Sequence, residues 1–204
     1  MRPYSKSFTP ADDSTNGLAT SVGGTSGVAI VQQNTDMGDS LAHLVIITPS
    51  GSITGSFVIT GTNENGDALT ETLATNTTNP VTSTNYFLTV TSVLAPAGIG
   101  AETVQIGWTD DVVSFWYPID WPRTAAHDIY VDISGTIDYD IQQTFANVLA
   151  GVTPSWVAIA ALDNKTGDTF GQASPGATAW RILINSLTAG ATIKVQTSQP
   201  STNF

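Results

Sequence analysis

Histidines and paired acids are the side chains with which this sequence could carry out chemistry. His43 lies inside the apolar run at residues 41–48, and His127 follows Ala125 and Ala126 on an alternating segment. No order of Ser, His and Asp along the chain, and no G-x-S-x-G segment, indicates a nucleophilic enzyme. The chain has no cysteine, so thiol nucleophiles, thiolate metal sites and disulfides are excluded. We therefore predict packed or rim histidines and no catalytic residue.

Acidic residues occur in close pairs that could bind a cation. Residues 163–168 (DNKTGD) resemble half of a calcium loop, but the distal Glu is missing and a lysine stands in the middle. Asp138 and Asp140 are two positions apart and hence on one face of a strand. We predict a solvated turn at 163–168 and a solvent-facing pair at 138 and 140, with no metal and no cofactor. A glycosidase would need two carboxylates at a set separation in a cleft, which spacing along the chain does not define.

Aromatic residues are concentrated at residues 115–121 (FWYPIDW), and two more lie near the N-terminus. A tryptophan on a sheet surface can stack on a sugar, whereas aromatic side chains also dominate burial at contacts between domains or subunits. The contact interpretation is favoured here. The predicted protein-contact residues are Tyr4, Phe8, Phe115, Trp116, Tyr117 and Trp121.

Charge and composition exclude some classes of partner. The 204 residues include 17 acidic and 6 basic ones, for a net charge of −11. This argues against nucleic acid, which needs clustered Lys and Arg, and against an anionic membrane surface. The acid excess is interpreted as a source of solubility, with docking onto a basic partner or cation binding as the alternatives.

Low charge density distinguishes the chain from a typical cytosolic enzyme. Charged residues make up 11% of the chain, against roughly 25% in an ordinary soluble domain. Hydrophobic residues make up 41%, which is enough for a buried core. No apolar run is long enough for a transmembrane helix. Residues 1–6 are not followed by an apolar segment, so no signal peptide is expected.

Short strands separated by turn residues run through the sequence. Residues 51–74 predict a β-hairpin, because residues 63–67 (NENGD) supply the Asn-Gly pair of a tight turn. Residues 125–141, around Ser134 and Gly135, and residues 180–197, around Ala189 and Gly190, predict two further hairpins. Residues 145–149 predict a short helical turn. About a dozen such strands and no long helix predict an all-β protein of β-sandwich architecture.

Three segments are predicted along the chain. Residues 1–27 are rich in Ser, Thr, Gly and Asp and predict an extended arm, either a frayed terminus or an arm that orders on a neighbouring subunit. Residues 28–111 and 112–204 predict two small β-sandwich domains, Ig-like or jelly-roll-like, with the boundary at the acidic pair 110–111.

Several blocks of residues resemble structural proteins of tailed-bacteriophage virions. In the first half these are Phe57, Ile59–Thr62, Gly66, Thr70–Thr72, Tyr86–Val93 and Val104–Trp108, which are similar to "ITGTDxxGxxxTET", "YFxTVxSV" and "VxxGW" blocks of such proteins. In the second half, Ile133–Phe145 resembles a "VSGTVTYTVQHTF" segment, followed by Pro154–Trp156 and a closing strand at Trp180–Asn185. The resemblance covers residues 50–200 and consists of turn glycines and core aromatics. It implies a component that decorates or stabilises a capsid, or that lies on the tail.

The resemblance and the composition together predict a non-enzymatic virion protein that decorates and stabilises a capsid. The expected partners are the major capsid protein and further copies of the chain, with a trimer suggested by analogy, and neither nucleic acid nor membrane. The expected location is the capsid surface, reached by assembly in the host cytoplasm. The alternative is a tail or fibre component that binds a host-surface glycan through Trp116, Trp121 or Trp156. A third hypothesis, a secreted carbohydrate-active enzyme, is disfavoured by the absence of a signal peptide and the scarcity of His and Glu.

Overall fold

Antiparallel β-strands form almost all of the regular structure, so the predicted all-β class is confirmed. A computed structural model describes residues 4–30, 32–75, 78–119 and 126–198. The strands are β1 (Tyr4–Phe8), β2 (Ser14–Gly23), β3 (Ala42–Pro49), β4 (Gly55–Thr62), β5 (Ala68–Thr75), β6 (Val81–Phe87), β7 (Thr89–Leu94), β8 (Thr103–Val113), β9 (Tyr117–Pro118), β10 (His127–Ser134), β11 (Ile137–Thr144), β12 (Val157–Ala158), β13 (Thr169–Ala173), β14 (Ala179–Leu187) and β15 (Thr192–Ser198). Two 3₁₀ turns, Val148–Ala150 and Ala160–Leu162, are the helical elements of the described residues. None of the helices there has the length and apolar character to cross a membrane.

The chain divides into two compact units. Unit 1 consists of Met1–Pro10 and Ser114–Phe204, and unit 2 of Ala11–Val113. The predicted boundary at residues 110–111 differs from this division, because both aspartates lie inside β8 and the chain leaves unit 2 after Val113. The sequence also gave no sign that the first ten residues belong with the second half.

The predicted N-terminal arm differs from the structure as well. Strand β1 pairs with β15 from Tyr4↔Thr197 to Phe8↔Ile193, and β2 pairs with β8. Leu18 and Ala19 on β2 are fully buried. The Ser and Thr residues on which the prediction of an arm was based occupy exposed positions of these strands. Their hydroxyl side chains are compatible with extended backbone.

Unit 2 is built from two groups of strands around one apolar core. One group has the order β2-β8-β3-β6, and the other has the order β5-β4-β7. The predicted hairpin at residues 51–74 is confirmed, with β4 and β5 paired from Gly55↔Thr75 to Thr62↔Ala68. Gly66 has φ +83° in its loop, and the Asn63 Oδ1 accepts hydrogen bonds from two backbone N–H groups of the same loop. The core contains fully buried side chains from both groups, including Val45, Ile47, Phe57, Ile59 and Ile106.

The carboxylates of Glu71 and Asp39 connect separate segments of unit 2 by hydrogen bonds. Glu71 on β5 accepts four hydrogen bonds, two each from Thr84 and Asn85 on β6, at 2.7–3.0 Å. Burial raises the pKa of Glu71, but these hydrogen bonds outweigh burial and hold it below its ordinary value. Asp39 accepts the N–H groups of Ala11 and Leu41, at 2.7 and 2.9 Å, and contacts the buried His43 ring.

Unit 1 also contains two groups of strands. One has the order β1-β15-β10-β13, and the other the order β12-β11-β14, with β9 also paired to β14. Alternate residues of the long strands are buried, as expected for sheets with one face toward a core. Ile129 and Val131 on β10, Tyr139 on β11, and Ile193 and Val195 on β15 are fully buried.

The predicted hairpins at residues 125–141 and 180–197 are wrong. Strand β10 pairs with β15, and β11 pairs with β14, so neither pair of successive strands is hydrogen-bonded together. Each short link is instead a corner at which the chain changes sheet. The two corners contact each other: the Thr188 N–H donates to the Thr136 carbonyl at 2.9 Å, and a Cβ on Gly135, whose φ is +87°, would lie 2.9 Å from the Ala191 Cβ.

Replacing Glu71 tests its role in unit 2. Glu71→Gln should lower the free energy of unfolding at pH 7 by about 1–2 kcal/mol, because an amide has one acceptor oxygen and turns its NH₂ toward donors. A lowered native pKa stabilises the fold above the ordinary value of 4.5, and this contribution is lost as the pH falls below it. Urea denaturation between pH 7 and pH 3 measures both effects.

Asp67→Asn is the matched control, since this carboxylate is exposed in the neighbouring loop. It should leave the pH dependence of unfolding unchanged. An acid-induced loss of stability that is equal in the wild type and in Glu71→Gln would show that Glu71 is not responsible for it.

Candidate functional site

An aromatic cluster in unit 1 is centred on Tyr117. Strand β9 places this residue directly opposite Trp180 on β14, and the two rings stack with centroids 4.6 Å apart and planes at 25°. Trp180 is 1% exposed, whereas Tyr117 is half-buried. The fixed, buried indole therefore sets the position of the tyrosine ring.

Strand β1 adds two more rings to this cluster. The centroid of Tyr4 lies 5.6 Å from that of Tyr117, and the centroid of Phe8 lies 6.2 Å from it in an edge-on arrangement. Phe8 is buried, and Tyr4 is 41% exposed. The Lys6 ammonium lies 5.7 Å from the centre of the Phe8 ring, within the range of a cation–π contact.

Phe115 and Trp116 complete the cluster on its exposed side. Their rings stack at 4.8 Å, and Phe115 also meets the Tyr117 ring edge-on at 6.3 Å. Phe115 is 42% exposed. Five of the six residues predicted to contact a protein thus lie in one cluster, and the sixth, Trp121, lies outside the described residues.

The tyrosine hydroxyls of the cluster are held in their neutral form. Burial, with a smaller contribution from Tyr4, raises the pKa of Tyr117 to about 12. Burial also raises the pKa of Tyr4. Ionisation of Tyr117 is therefore opposed by folding, as expected for a phenol among apolar rings.

A second exposed surface lies on residues 145–157, which we call the apolar segment. It connects β11 to β12 and contains no charged residue. Its exposed apolar side chains are Phe145 at 55%, Leu149 at 68%, Val152 at 51% and Val157 at 55%. The predicted helical turn is present as the 3₁₀ turn Val148–Ala150, capped by the Asn147 side chain. The exposure of these side chains was not predicted from the sequence. A run of apolar residues with neither strand nor helix periodicity was an indication of it.

Trp156 on the same segment is engaged with a neighbour. The Arg181 guanidinium lies 4.6 Å from the centre of its ring, and the Arg181 Nε donates to the Gln142 Oε1 at 2.8 Å. The tryptophan is half-buried. One face of this indole is therefore already covered within the chain.

Both histidines are packed, as predicted. His43 is fully buried, and its Nδ1 and Nε2 face the Thr109 carbonyl at 2.9 Å and the Asp39 carboxylate at 2.8 Å. Both ring nitrogens therefore face an oxygen of a neighbouring residue. Burial raises the pKa of Asp39, but the hydrogen bond and charge of His43 outweigh it and hold the pKa below its ordinary value. His127 is 3% exposed, and burial lowers its pKa against the opposing charge of Asp128.

Two of the predicted acidic residues, Asp140 and Asp168, accept backbone hydrogen bonds in unit 1. Asp140 was expected to face solvent but is 8% exposed, because the segment at 163–168 covers it and the Asn164 N–H donates to its carboxylate at 2.6 Å. Backbone hydrogen bonds between Tyr139 and Lys165 fix this segment on β11. Asp168 accepts the Ile133 N–H at 2.9 Å. Across the described ranges, no three His, Asp or Glu side chains are grouped so that they could hold a metal ion.

Comparisons with models of protein families, with curated proteins and with solved structures found no match to this chain.

The aromatic cluster gives a prediction at high pH. A raised native pKa means that the neutral phenol stabilises the fold below the ordinary value of 10.0, and that this contribution is lost as the pH rises toward about 12. Tyr117→Phe should remove the last tyrosinate step from an ultraviolet titration. Tyr117→Ala should lower the free energy of unfolding by about 2–3 kcal/mol at pH 7, since it removes a ring packed on Trp180.

Tyr130→Phe is the control, because Tyr130 is 41% exposed and lies outside the cluster. It should leave the step near pH 12 in place. A high-pH titration that is identical in the wild type and in Tyr117→Phe, with both proteins folded by circular dichroism, would contradict the assignment.

Proposed function

We propose that this chain is a non-enzymatic virion structural protein that decorates and stabilises a bacteriophage capsid, bound at the capsid surface to the major capsid protein. The observation that carries the proposal is the apolar segment at 145–157. Four large apolar side chains there are more than half exposed, and no charge interrupts them. Several large apolar side chains exposed along one short segment of a folded protein are typical of a site that another protein covers.

Burial of this segment would supply the binding energy. Full burial of one Val, Leu or Phe side chain is worth about 1.5–3 kcal/mol. The segment itself contains no charged residue, and the Arg181 guanidinium beside it is already engaged with Trp156 and Gln142. A protein that binds only the intact shell stabilises it by mass action, without catalysis.

The aromatic cluster is a second observation that supports the proposal. Phe115 and Tyr4 expose their rings, and both rings contact Tyr117. Tyr117 in turn stacks on the buried Trp180. Rigid aromatic side chains lose little conformational entropy on binding, and they are enriched at the centres of protein interfaces. We infer that Tyr4, Phe8, Phe115, Trp116 and Tyr117 serve a contact made by unit 1, as does Trp121.

The finer architecture is part of the proposal. Each unit has two groups of antiparallel strands with buried alternate residues, which supports two small β-sandwiches of Ig-like or jelly-roll-like type. Unit 1 carries both candidate contact surfaces, so it is the unit proposed to bind the shell. A homo-oligomer, as a trimer at local threefold axes, follows by analogy with decoration proteins.

The alternative is a tail or fibre component that binds a glycan through tryptophan. The tryptophans on which this alternative depends give it less support. Trp116 stacks on Phe115, and the Trp156 ring lies under the Arg181 guanidinium. Trp121 lies outside the described residues. Capsid decoration therefore remains the leading proposal.

Co-sedimentation with the phage's own capsid shells tests the proposal. Phe145→Ser combined with Leu149→Ser should weaken binding to the shells at least tenfold, because two exposed apolar anchors are lost. The free energy of unfolding should change little, since both side chains are exposed in the free protein.

Phe170→Ser is the matched control, with 57% exposure against 55% for Phe145. It should co-sediment like the wild type. Binding of the wild-type protein to tails but not to shells, or equal binding by the double variant, would overturn the proposal.

A further inference from the structure

The outer face of the sheet β1-β15-β10-β13 carries an ordered array of side chains. In its middle row, the register places Gln196 opposite Tyr130, and Tyr130 opposite Phe170. In the next row, Ser198 is opposite Asp128, and Asp128 is opposite Gln172. Directly opposed side chains share one face of a sheet, so these rows form one surface.

Two aromatic rings stand side by side on this face and are open to solvent. Tyr130 is 41% exposed, and Phe170 is 57% exposed. The neighbours of Tyr130 on β10, Ile129 and Val131, point to the other face and are fully buried. The two rings therefore lie on the face opposite that core.

Polar side chains surround the pair at fixed positions. The Gln172 Nε2 donates to the Asp128 Oδ1 at 2.6 Å, which holds the amide and the carboxylate beside the rings. Gln196 lies directly across from Tyr130 on the other side. These groups offer both donors and acceptors in the row of the two rings and in the adjacent row.

Concave surface flanks Phe170 on both sides. A depression of about 190 Å³ is lined by Asp128, Tyr130, Phe170 and Gln196. A second depression of about 410 Å³ is lined by Phe170, Gln172, Gln143 and Ser174. Phe170 lines both, so an elongated ligand could lie across the ring with one end in each depression.

We propose that this face binds a neutral oligosaccharide. A sugar ring has an apolar C–H face that stacks on the electron-rich face of an aromatic ring, and hydroxyls around its rim that need donors and acceptors. Tyr130 and Phe170 supply the stacking surface. Asp128, Gln172 and Gln196 supply hydrogen bonds to the hydroxyls.

The charges on the face select among ligands. Among the described residues of the four strands, this face carries the ionised groups of Asp128, Asp132 and Lys194, and Lys194 lies directly across from Asp132. The residues opposite Asp128 are the uncharged Gln172 and Ser198, so its negative charge beside the rings disfavours uronic acids and sialylated glycans. A protein partner would need a larger continuous apolar area than two rings framed by amides and a carboxylate.

The site is separate from the surfaces that carry the proposed function. It shares no residue with the apolar segment or with the aromatic cluster at Tyr117. Loss of shell binding and loss of sugar binding can therefore be observed independently.

An array of neutral hexose and N-acetylhexosamine oligosaccharides, with sialylated and uronic-acid glycans as the anionic set, tests the proposal on the full-length protein. Neutral glycans should bind and anionic ones should not. For the best neutral glycan, Tyr130→Ala and Phe170→Ala should each lower the affinity roughly tenfold by titration calorimetry, and the double variant should abolish measurable binding. Circular dichroism and thermal unfolding verify that each variant is folded.

Phe145→Ala is the matched control, because it removes an equally exposed ring elsewhere in unit 1. It should bind the glycan like the wild type, and Phe170→Ala should bind shells like the wild type. Absence of binding to every glycan, equal loss of affinity in the control, or self-association of the wild type that Phe170→Ala dissolves would each overturn the proposal.

Discussion

The stacking of Tyr117 on the buried Trp180 is the contact on which the organisation of unit 1 depends. Trp180 belongs to a long central strand, and Tyr117 belongs to a two-residue strand that pairs with it. The N-terminal strand then places Tyr4 and Phe8 against the same ring. Segments distant in sequence are thereby fixed around one aromatic pair, and Phe115 is left at its exposed edge.

Local sequence patterns predicted local structure well and pairing poorly. The β4–β5 hairpin followed from the residues 63–67, because a loop stabilised by the Asn63 side chain and closed by a glycine at positive φ joins strands that are neighbours in sequence. The links at Gly135 and Gly190 also contain a glycine at positive φ, of +87° and +73°, but they are corners between sheets. The alternation of apolar and polar residues indicates which face of a strand is buried. It does not indicate the strand's partner, since β10 pairs with β15, whose residues lie some 60 positions away.

The candidate surfaces were predictable to different degrees. The density of aromatics at 115–121 indicated a contact, but the sequence did not show that Tyr4 and Phe8 join it, since that depends on the pairing of β1 with β15. The apolar segment lacks periodicity, so its exposure appears only once the strands on either side are placed. Tyr130 and Phe170 are 40 positions apart, and only the register of β10 with β13 makes them neighbours.

Two kinds of surface follow from one fold. The apolar segment and the exposed edge of the aromatic cluster are suited to a protein partner, because their exposed side chains are apolar or aromatic. The outer face of the four-stranded sheet is suited to a small polar ligand, because each ring there has an amide or carboxylate beside it. The low charge density of the chain permits both, since exposed Thr, Ser, Asn and Gln keep the remaining surface polar.

Cryo-electron microscopy of intact phage particles tests the central claim most directly. The account predicts density for this chain on the outer capsid surface, with residues 145–157 and Phe115 against the shell and with Tyr130 and Phe170 facing solvent. Density for the chain on the tail, or on the capsid with residues 145–157 facing solvent, would contradict it.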